Sequence, residues 1–401
     1  MAEALQIAYL AEGKLYVKRG AMAAQMVESS FAQGVVDRAT TAVERNGWRG
    51  KGMGEGPFSA GLLWGKAVRP AETRIVRITA LTRAPAENGH LLYALDTGAV
   101  GGLFTYDVQA SAENRLFHRQ EFKANDLACH PHKQVLALST VMEDGTASIA
   151  VMQPGSRKLT PVTEGDSLDQ APAWVPTPDD PMREVLVYHS AGLSRNQRGF
   201  ITGQGPYAIH RLDMDKGKFE TVMEDAAWDY LVPRVRVEGG KERLYFIRRP
   251  YNAAGHNFSF GRFLLDIVLF PFRLLRAIFA FLNVFSMFFS GKPLTTVGGP
   301  KGQEIDTRIM HLHGQWIDTQ KALRSAAKGQ PRALVPATWE LMVMEEGGKA
   351  TSLASSVLSF DLVPGGGVVY TNGSEIFTVA AGEKAEKVCS HRMISQVMTF
   401  G

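Results

Sequence analysis

The stretch DLACHPHKQVLALSTVMEDGTASIAVMQPG, from Asp126 to Gly155, carries the pattern that decides the fold. A short segment that reaches a proline is followed by two apolar runs of strand length, with Asp144-Gly145 between them. An Asp-Gly pair between two such runs is typical of a β-hairpin. The stretch therefore predicts one strand segment followed by a hairpin.

The same unit recurs along the chain. "LQIAYLAEGKLYVKRG" reads as a hairpin with a Glu12-Gly13 turn, and the segments "DQAPAWVPTPDD" and "DYLVPRVRVEGG" introduce further hairpins. The units that start at Asp126, Asp169 and Asp229 lie about 43 and 60 residues apart, and a loop at 192–205 lengthens the second interval. A repeat of roughly 40 residues with four strands indicates propeller blades.

Two adjoining stretches show what kind of repeat this is. "DLACHPHKQVLALSTVMEDGTASIAVMQPGSRKLTPVTEG" and "DSLDQAPAWVPTPDDPMREVLVYHSAG" resemble the WD40-like repeats of TolB-type six-bladed propellers. Asp169, Pro172, Trp174 and Pro176 fit the repeat, whereas "TPDD" replaces its usual Asp-Gly after Pro176. The match covers about 300 residues and is degenerate outside these two blades. The resemblance implies an architecture and no activity.

The two ends of the chain complement each other. "MISQVMTFG" reads as an innermost strand without a hairpin after it, and the N-terminal hairpin lacks an innermost strand before it. We expect the termini to complete one blade together, because closing the ring leaves no sheet edge open. The predicted fold class is all-β, a six-bladed β-propeller closed by N- and C-terminal strands, with two helical insertions at about 21–47 and 252–335.

The two insertions interrupt the strand pattern. Residues 21–47 have an Ala-rich, helix-forming composition and read as one amphipathic helix that ends at Gly47. Residues 252–335 separate two strands of the fifth blade, and their second half, "EIDTRIMHLHGQWIDTQKALRSAA", also reads as helical. The predicted domains are a propeller of residues 1–251 plus 336–401 and an inserted, Phe-rich helical segment of residues 252–335.

The Phe-rich part of the insertion is "GRFLLDIVLFPFRLLRAIFAFLNVFSMFFSG", from Gly261 to Gly291. On a helix its polar residues form one narrow stripe, and the rest of the surface is apolar. A bilayer crossing needs about 20 predominantly apolar residues, whereas the run without charge extends only from Ala277 to Ser290. An in-plane helix with its apolar face in the headgroup boundary fits better. The predicted membrane- or partner-binding residues are Phe263, Leu264, Phe270, Phe272, Leu275, Ile278, Phe279, Phe281, Leu282, Phe285, Phe288 and Phe289.

Basic residues flank this helix. Between Arg243 and Lys301 there are eight basic residues and one acidic residue, Asp266. Each basic residue near anionic lipid contributes about 1 kcal/mol of attraction. The predicted anionic-lipid contacts are Arg248, Arg249, Arg262, Arg273, Arg276 and Lys292. Two other readings stay open, since the helix could pack on a protein partner, including a second copy through residues 262–290, or on its own propeller.

Composition bounds the compartment and the partners. The chain has 401 residues, 45% of them hydrophobic, a net charge of +4 and only two cysteines. Its start lacks the basic and apolar regions of a secretory signal, so we expect a cytoplasmic protein without a structural disulfide, peripheral on the inner face of the membrane. The small net charge, without a run of like charges, argues against nucleic acid as a partner.

No residue pattern predicts catalysis. The pairs His130/His132 and His311/His313 lack the further ligands of a metal site, "DMDKGK" reads as a hairpin turn, and no Gly-x-Ser-x-Gly is present. The arginines at 234, 236, 248 and 249 could bind an anionic ligand, but we interpret them as solvated rim residues. We predict no catalytic residue, no metal and no cofactor.

The sequence thus predicts a non-catalytic, membrane-associated scaffold or adaptor. It would dock on the cytoplasmic face of a membrane through the amphipathic helix and bind protein partners, or a membrane protein, with its rim and first helix. The alternative is a propeller enzyme, a hydrolase or lyase acting on an anionic substrate in the central funnel, with the Phe-rich helix as a lid or oligomer contact.

Overall fold

The strands of the protein form consecutive antiparallel groups. The computed structural model describes residues 5–38, 41, 76–84, 89–98, 100–153, 155–251, 309–312, 315–318, 333–345, 347–380 and 382–400. The chain divides into two compact units, of which the first comprises Met1–Val36, Arg74–Ala253 and Ile309–Gly401, and the second Asp37–Thr73 and Ala254–Arg308. Every described strand belongs to the first unit. Apart from one helix, the regular structure of the described residues consists of strands, which confirms the all-β prediction.

Within the described residues, six groups of four strands follow one another, and one parallel pairing, of Ala147 with Leu168, joins the third and fourth groups into a single sheet. The first three groups are β27 (Ile394–Thr399), β1 (Gln6–Ala11), β2 (Lys14–Arg19) and β3 (Gln25–Met26); β4 (Arg77–Arg83), β5 (His90–Asp96), β6 (Val100–Asp107) and β7 (Ala112–Gln120); and β8 (Ala124–Cys129), β9 (Leu136–Val141), β10 (Ala147–Met152) and β11 (Thr160–Pro161).

The other three groups continue the pattern. They are β12 (Ser167–Trp174), β13 (Val185–Arg195), β15 (Ala208–Asp213) and β16 (Lys218–Met223); β17 (Trp228–Glu238), β18 (Lys241–Pro250), β21 (Glu340–Glu345) and β22 (Thr351–Ser355); and β23 (Ser359–Leu362), β24 (Val368–Thr371), β25 (Glu375–Val379) and β26 (Glu386–Ser390). An additional strand, β14 (Ile201–Gln204), extends the fourth group by pairing with the end of β13.

The first strands of the groups meet in a ring. β4, β8, β12, β17 and β23 contact each other in chain order, and β27 contacts both β23 and β4. Each group stacks its apolar side chains against the next group, for example Leu231, Ile247 and Leu341 of the fifth group with Phe360 of the sixth. Because both faces of a sheet are covered, a second strand such as β5 is buried almost continuously from Leu91 to Leu95. This is the arrangement of a β-propeller.

The terminal strands close the ring as the sequence predicts. β27 pairs antiparallel with β1, and Ile7 lies opposite Thr399. The first hairpin turns at Glu12-Gly13, where both residues have positive φ, 53° and 75°, the backbone of a type I′ turn.

Side-chain hydrogen bonds join β27 to the first strands of the two adjacent groups, β4 and β23. The amide of Gln396 accepts from the N–H of Leu81 at 3.1 Å and donates to the Leu81 carbonyl at 2.8 Å. On its other side, the Thr399 N–H and hydroxyl donate to the Asp361 carboxylate at 2.9 and 3.0 Å. The last strand is therefore bonded to the groups on both sides of it.

The first predicted helix is shorter at its start than expected. Residues 21–29 are not helical, because Gln25 and Met26 form β3 against β2. The helix covers residues 30–38, residue 41 is also helical, and residues 42–47 lie outside the described part. Ser29 begins it as an N-cap, with its hydroxyl accepting from the Ala32 N–H at 3.1 Å.

Glu113 holds the start of this helix on the second strand group. Its carboxylate accepts from Ser29 Oγ at 2.5 Å, from Ser30 Oγ at 2.6 Å and from the hydroxyl of Tyr93. Burial acts to raise the pKa of Glu113, but these hydrogen bonds outweigh it and hold the pKa below its usual value. A negative charge at a helix N-terminus is also favoured by the helix dipole.

The second insertion departs from its prediction where it is described. Ile309–Leu312 and Gln315–Asp318 are strands β19 and β20, paired antiparallel, so the helical prediction for this stretch was wrong. Gly314 between two short runs that contain isoleucine and tryptophan favours a hairpin over a helix. The predicted helix between Arg262 and Ser290 lies outside the described residues.

We predict that Gln396→Ala lowers the free energy of unfolding by about 2 kcal/mol. The substitution removes two hydrogen bonds, so the N–H and the carbonyl of the buried Leu81 each lose their side-chain partner. Chemical denaturation measures the change. Gln197→Ala, at an exposed turn, is the matched control and should stay within about 0.5 kcal/mol of the native chain. A Gln396→Ala protein as stable as the control would contradict this account of ring closure.

Candidate functional site

The strand order shows at which of two faces of the first unit each segment between consecutive strands lies. In an antiparallel group, connections alternate between the two strand ends. The connections between second and third strands, and those from one group to the next, therefore share one face, which we call the insertion face. Residues 27–76 connect two groups there, and residues 251–339 connect β18 to β21 there. Both long insertions thus leave the described strands at the same face.

The insertion face also carries exposed apolar side chains. Met142, Phe200 and Ile201 are 44%, 66% and 44% exposed, and they belong to the second-to-third connections of neighbouring groups. A methyl group on Gly145 would lie 2.8 Å from Cδ1 of Ile201, so the two connections touch. The other large exposed apolar side chains are scattered over outer strands, opposite-face turns and the helix: Met22, Met26, Val36, Leu116, Met182 and Phe219.

The hairpin formed by the end of β13 and β14, residues 192–204, projects from this face and is held by Arg195. The guanidinium donates to Asp166 Oδ1 at 2.7 Å and to the Asp144 carbonyl at 3.2 Å. It also pairs with the Asp144 carboxylate at 3.3 Å. Because Asp144 belongs to the third group, Arg195 joins two neighbouring groups beside the turn of this hairpin. We name residues 192–204 the extension hairpin.

The insertion leaves the sheet beside a buried ion pair. Arg249, the penultimate residue of strand β18, is 1% exposed, and its Nε donates to Asp229 Oδ2 at 2.8 Å. Its guanidinium carbon lies 4.5 Å from the centroid of the Trp339 ring. Asp229 also accepts from the Tyr207 N–H at 2.9 Å. The strand end from which residues 252–308 depart is therefore fixed to the fourth and fifth groups.

These contacts bear on the predicted lipid-binding residues. Arg249 is buried, and Arg248 pairs with Glu340 at 2.6 Å while its guanidinium lies 4.6 Å from the Trp228 ring centroid. A buried, paired guanidinium does not suit contact with a lipid headgroup, so we leave Arg249 out of the lipid-binding set. Arg262, Arg273, Arg276, Lys292 and the apolar positions from Phe263 to Phe289 lie outside the described residues, and their role stays a prediction.

The interpretation of the arginines as solvated rim residues was wrong. Besides Arg248 and Arg249, Arg236 is only 15% exposed in its side chain and donates to the carbonyls of Val363 and Gly367 at 2.7 and 3.0 Å. Arg234 is half-buried on the first strand β17. Sequence reasoning missed this because the acceptors of Arg236 lie more than a hundred residues away in the chain.

Charged residues of four first strands line the middle of the ring. Asp361 accepts from Arg83 at 3.3 Å, and Arg234 lies within electrostatic reach of both Asp361 and Asp126. Asp126 accepts from the Ala171 N–H at 3.1 Å. Two arginines and two aspartates thus balance each other in charge, and each aspartate also bonds backbone groups of another strand.

Burial shifts the pKa of two of these groups. It raises the pKa of the Asp126 carboxyl, against the hydrogen bond from Ala171 and the charge of Arg234. It lowers the pKa of the Arg234 guanidinium, against the charges of Asp361 and Asp126. Such perturbed groups mark a candidate for ligand binding as well as for structural support. Sequence reasoning did not find this cluster, because nothing local indicates which strand residues point inward.

The histidines that suggested a metal have structural roles where they are described. His130 is buried, its Nδ1 accepts from the N–H groups of His132 and Lys133 at 3.2 and 3.1 Å, and its Nε2 contacts the Arg183 carbonyl at 3.1 Å. "DMDKGK" forms the turn between β15 and β16, which confirms the hairpin prediction.

The described ranges contain no cluster of three or more His, Cys, Asp or Glu residues suited to hold a metal ion. No helix within them has the length and hydropathy needed to cross a membrane.

Known proteins resemble this chain in structure only. No protein-family model and no curated protein matches it. Similar solved structures include TolB from Acinetobacter baumannii, with 10% identity over 100% of this chain and 67% of that chain and a TM-score of 0.49. They also include a nidogen/laminin complex, with 8% identity over 98% and 97% and a TM-score of 0.49. A third is the tricorn protease, with 11% identity over 96% and 33% and a TM-score of 0.45.

TolB, the type of protein that the repeats resemble, is one of these structures. The propeller assignment itself rests on the strand order and the ring of first strands. Function has to be argued from the residues of the face.

We predict that Arg249→Leu lowers the free energy of unfolding by about 3 kcal/mol, because Asp229 is left buried without its charged partner. Arg243→Ala is the matched control, since Arg243 pairs with Glu238 and Glu345 at the surface and should cost about 1 kcal/mol or less. Both are measured by chemical denaturation. Equal losses for the two variants would show that Arg249 does not anchor the root of the insertion.

Proposed function

We propose that the protein is a non-catalytic, six-bladed propeller scaffold that docks peripherally on the cytoplasmic face of a membrane and binds protein partners. The six strand groups are its blades. The insertion face is turned to the membrane, and the Phe-rich helix predicted within residues 252–335 lies in the headgroup boundary. The remaining rim and the first helix, whose start is held by Glu113 of the outer strand β7, are left for protein partners.

One observation carries the proposal: both long insertions and the exposed side chains of Met142, Phe200 and Ile201 share one face of the ring. Large apolar side chains gathered on one exposed face mark an interaction site. The Phe-rich sequence that follows Tyr251 at the same face predicts a helix that is too charged to cross a bilayer and too apolar for water. A lipid surface accommodates both features.

The central cluster of Arg83, Asp126, Arg234 and Asp361 favours the second candidate, an enzyme acting on an anionic substrate in the funnel. Arginines that point into a concave space are suited to bind carboxylate or phosphate. Against it, Arg83 is already paired with Asp361, whose carboxylate also accepts from Thr399. The cluster can thus be explained as part of the contacts between first strands, and we rank the scaffold first.

Vesicle flotation tests the proposal. We expect the full chain to float with vesicles that contain anionic lipid, and a variant lacking Phe258 to Ser290 to stay at the bottom of the gradient. Burying one phenylalanine side chain contributes roughly 1.5 to 3 kcal/mol, so the loss of this segment should abolish binding.

The control is a full-length chain with Arg262, Arg273 and Arg276 changed to Gln, which should bind anionic vesicles more weakly while retaining all apolar residues. Circular dichroism of each variant verifies that the strands are intact. If the deleted and the full chain float equally, or if neither floats, membrane docking through this segment is excluded.

A further inference from the structure

The tip of the extension hairpin is built to present an exposed aromatic side chain. Phe200 is 66% exposed, yet the turn that carries it is held by several hydrogen bonds. Asn196 Oδ1 accepts from the N–H groups of Arg198 and Phe200 at 2.9 and 3.0 Å, and the Asn196 N–H donates to the Phe200 carbonyl at 3.0 Å. The exposure of Phe200 is therefore a property of an ordered turn.

The charged residues within the hairpin are both basic. Residues 192–204 contain Arg195 and Arg198 and no acidic residue. Arg195, the last paired residue before the turn, pairs with the carboxylates of Asp144 and Asp166, and Glu143 is exposed in the neighbouring turn. Arg198 is exposed at the tip next to Phe200, so the outermost part of the hairpin combines one aromatic ring with one positive charge.

The hairpin adjoins the root of the insertion. The hydroxyl of Tyr251, the last described residue before the insertion, donates to the Gln204 carbonyl at the end of β14. The Tyr251 N–H donates to the Ala227 carbonyl at 2.8 Å. The extension hairpin and the start of the Phe-rich insertion thus leave the same face at neighbouring points.

We propose that the tip of the extension hairpin is a second membrane-binding element, in which Phe200 enters the headgroup boundary of an anionic bilayer and Arg198 contacts lipid phosphate. Ile201 is partly covered by the neighbouring turn at Gly145, and Phe200 is the more exposed of the two. This inference rests on the proposed function, because it requires the insertion face to be turned to the bilayer.

A partner protein could also cover an exposed aromatic tip. Protein-free vesicles separate the two occupants, because only a lipid-binding tip can affect affinity when no other protein is present. Anionic and neutral vesicles separate the contribution of Arg198 from that of Phe200, since the attraction of a basic side chain depends on surface charge.

The test measures the affinity of the full chain for protein-free vesicles with and without anionic lipid. We expect Phe200→Ala to weaken binding about ten-fold or more, and Arg198→Ala about five-fold on anionic vesicles only. Phe219→Ala is the matched control, since Phe219 is 56% exposed on the outer strand β16, and it should bind like the native chain.

The outcomes distinguish the two proposals. If the native chain binds and Phe200→Ala binds equally well, the second element is refuted while membrane docking stands, and the tip is left for a protein partner. If Phe219→Ala weakens binding as much as Phe200→Ala, the tip has no special role and the inference fails. If the native chain binds neither kind of vesicle, both proposals fail.

Discussion

Closing the ring of first strands is the constraint on which the rest of the structure depends. Neighbouring first strands share no continuous ladder with each other, so side chains bond the polar backbone groups between them. Gln396 bonds both the N–H and the carbonyl of Leu81, Thr79 donates to the Ala124 carbonyl at 2.6 Å, and the Ala171 N–H donates to Asp126. A buried polar group left without such a partner is costly. The closed ring in turn holds every connection at one of two faces.

The placement of each connection at one of two faces relates the fold to the proposed function. Once a sheet is fixed at the ring, its second-to-third connection can lengthen without disturbing the core, as at residues 192–204 and 251–339. The buried pair of Arg249 and Asp229 holds the strand end where the longer connection starts. A rigid root and a rigid neighbouring hairpin place apolar groups at one face, which favours binding to an extended surface such as a bilayer over binding to a small ligand.

Much of the fold could be predicted because its signals are local. The Glu12-Gly13 turn requires positive φ, and an unpaired last strand requires a partner at the other end of the chain; both predictions were confirmed. The errors concern contacts distant in sequence. Residues 25–26 pair with β2 in place of continuing a helix, residues 309–312 pair with residues 315–318, and Arg236 bonds the carbonyls of Val363 and Gly367. The cluster around Arg234 escaped prediction for the same reason, since alternation in a strand does not tell which group lies across the ring.

The orientation of the ring on a membrane is the central claim, and hydrogen exchange of the full chain with and without anionic vesicles measures it most directly. The account predicts that vesicles slow amide exchange in the insertion-face turns at 142–146 and 196–200. Exchange in the turns of the opposite face, at 20–24, 108–111 and 214–217, should be unchanged. Slower exchange confined to the opposite-face turns, or equal slowing on both faces, would contradict it.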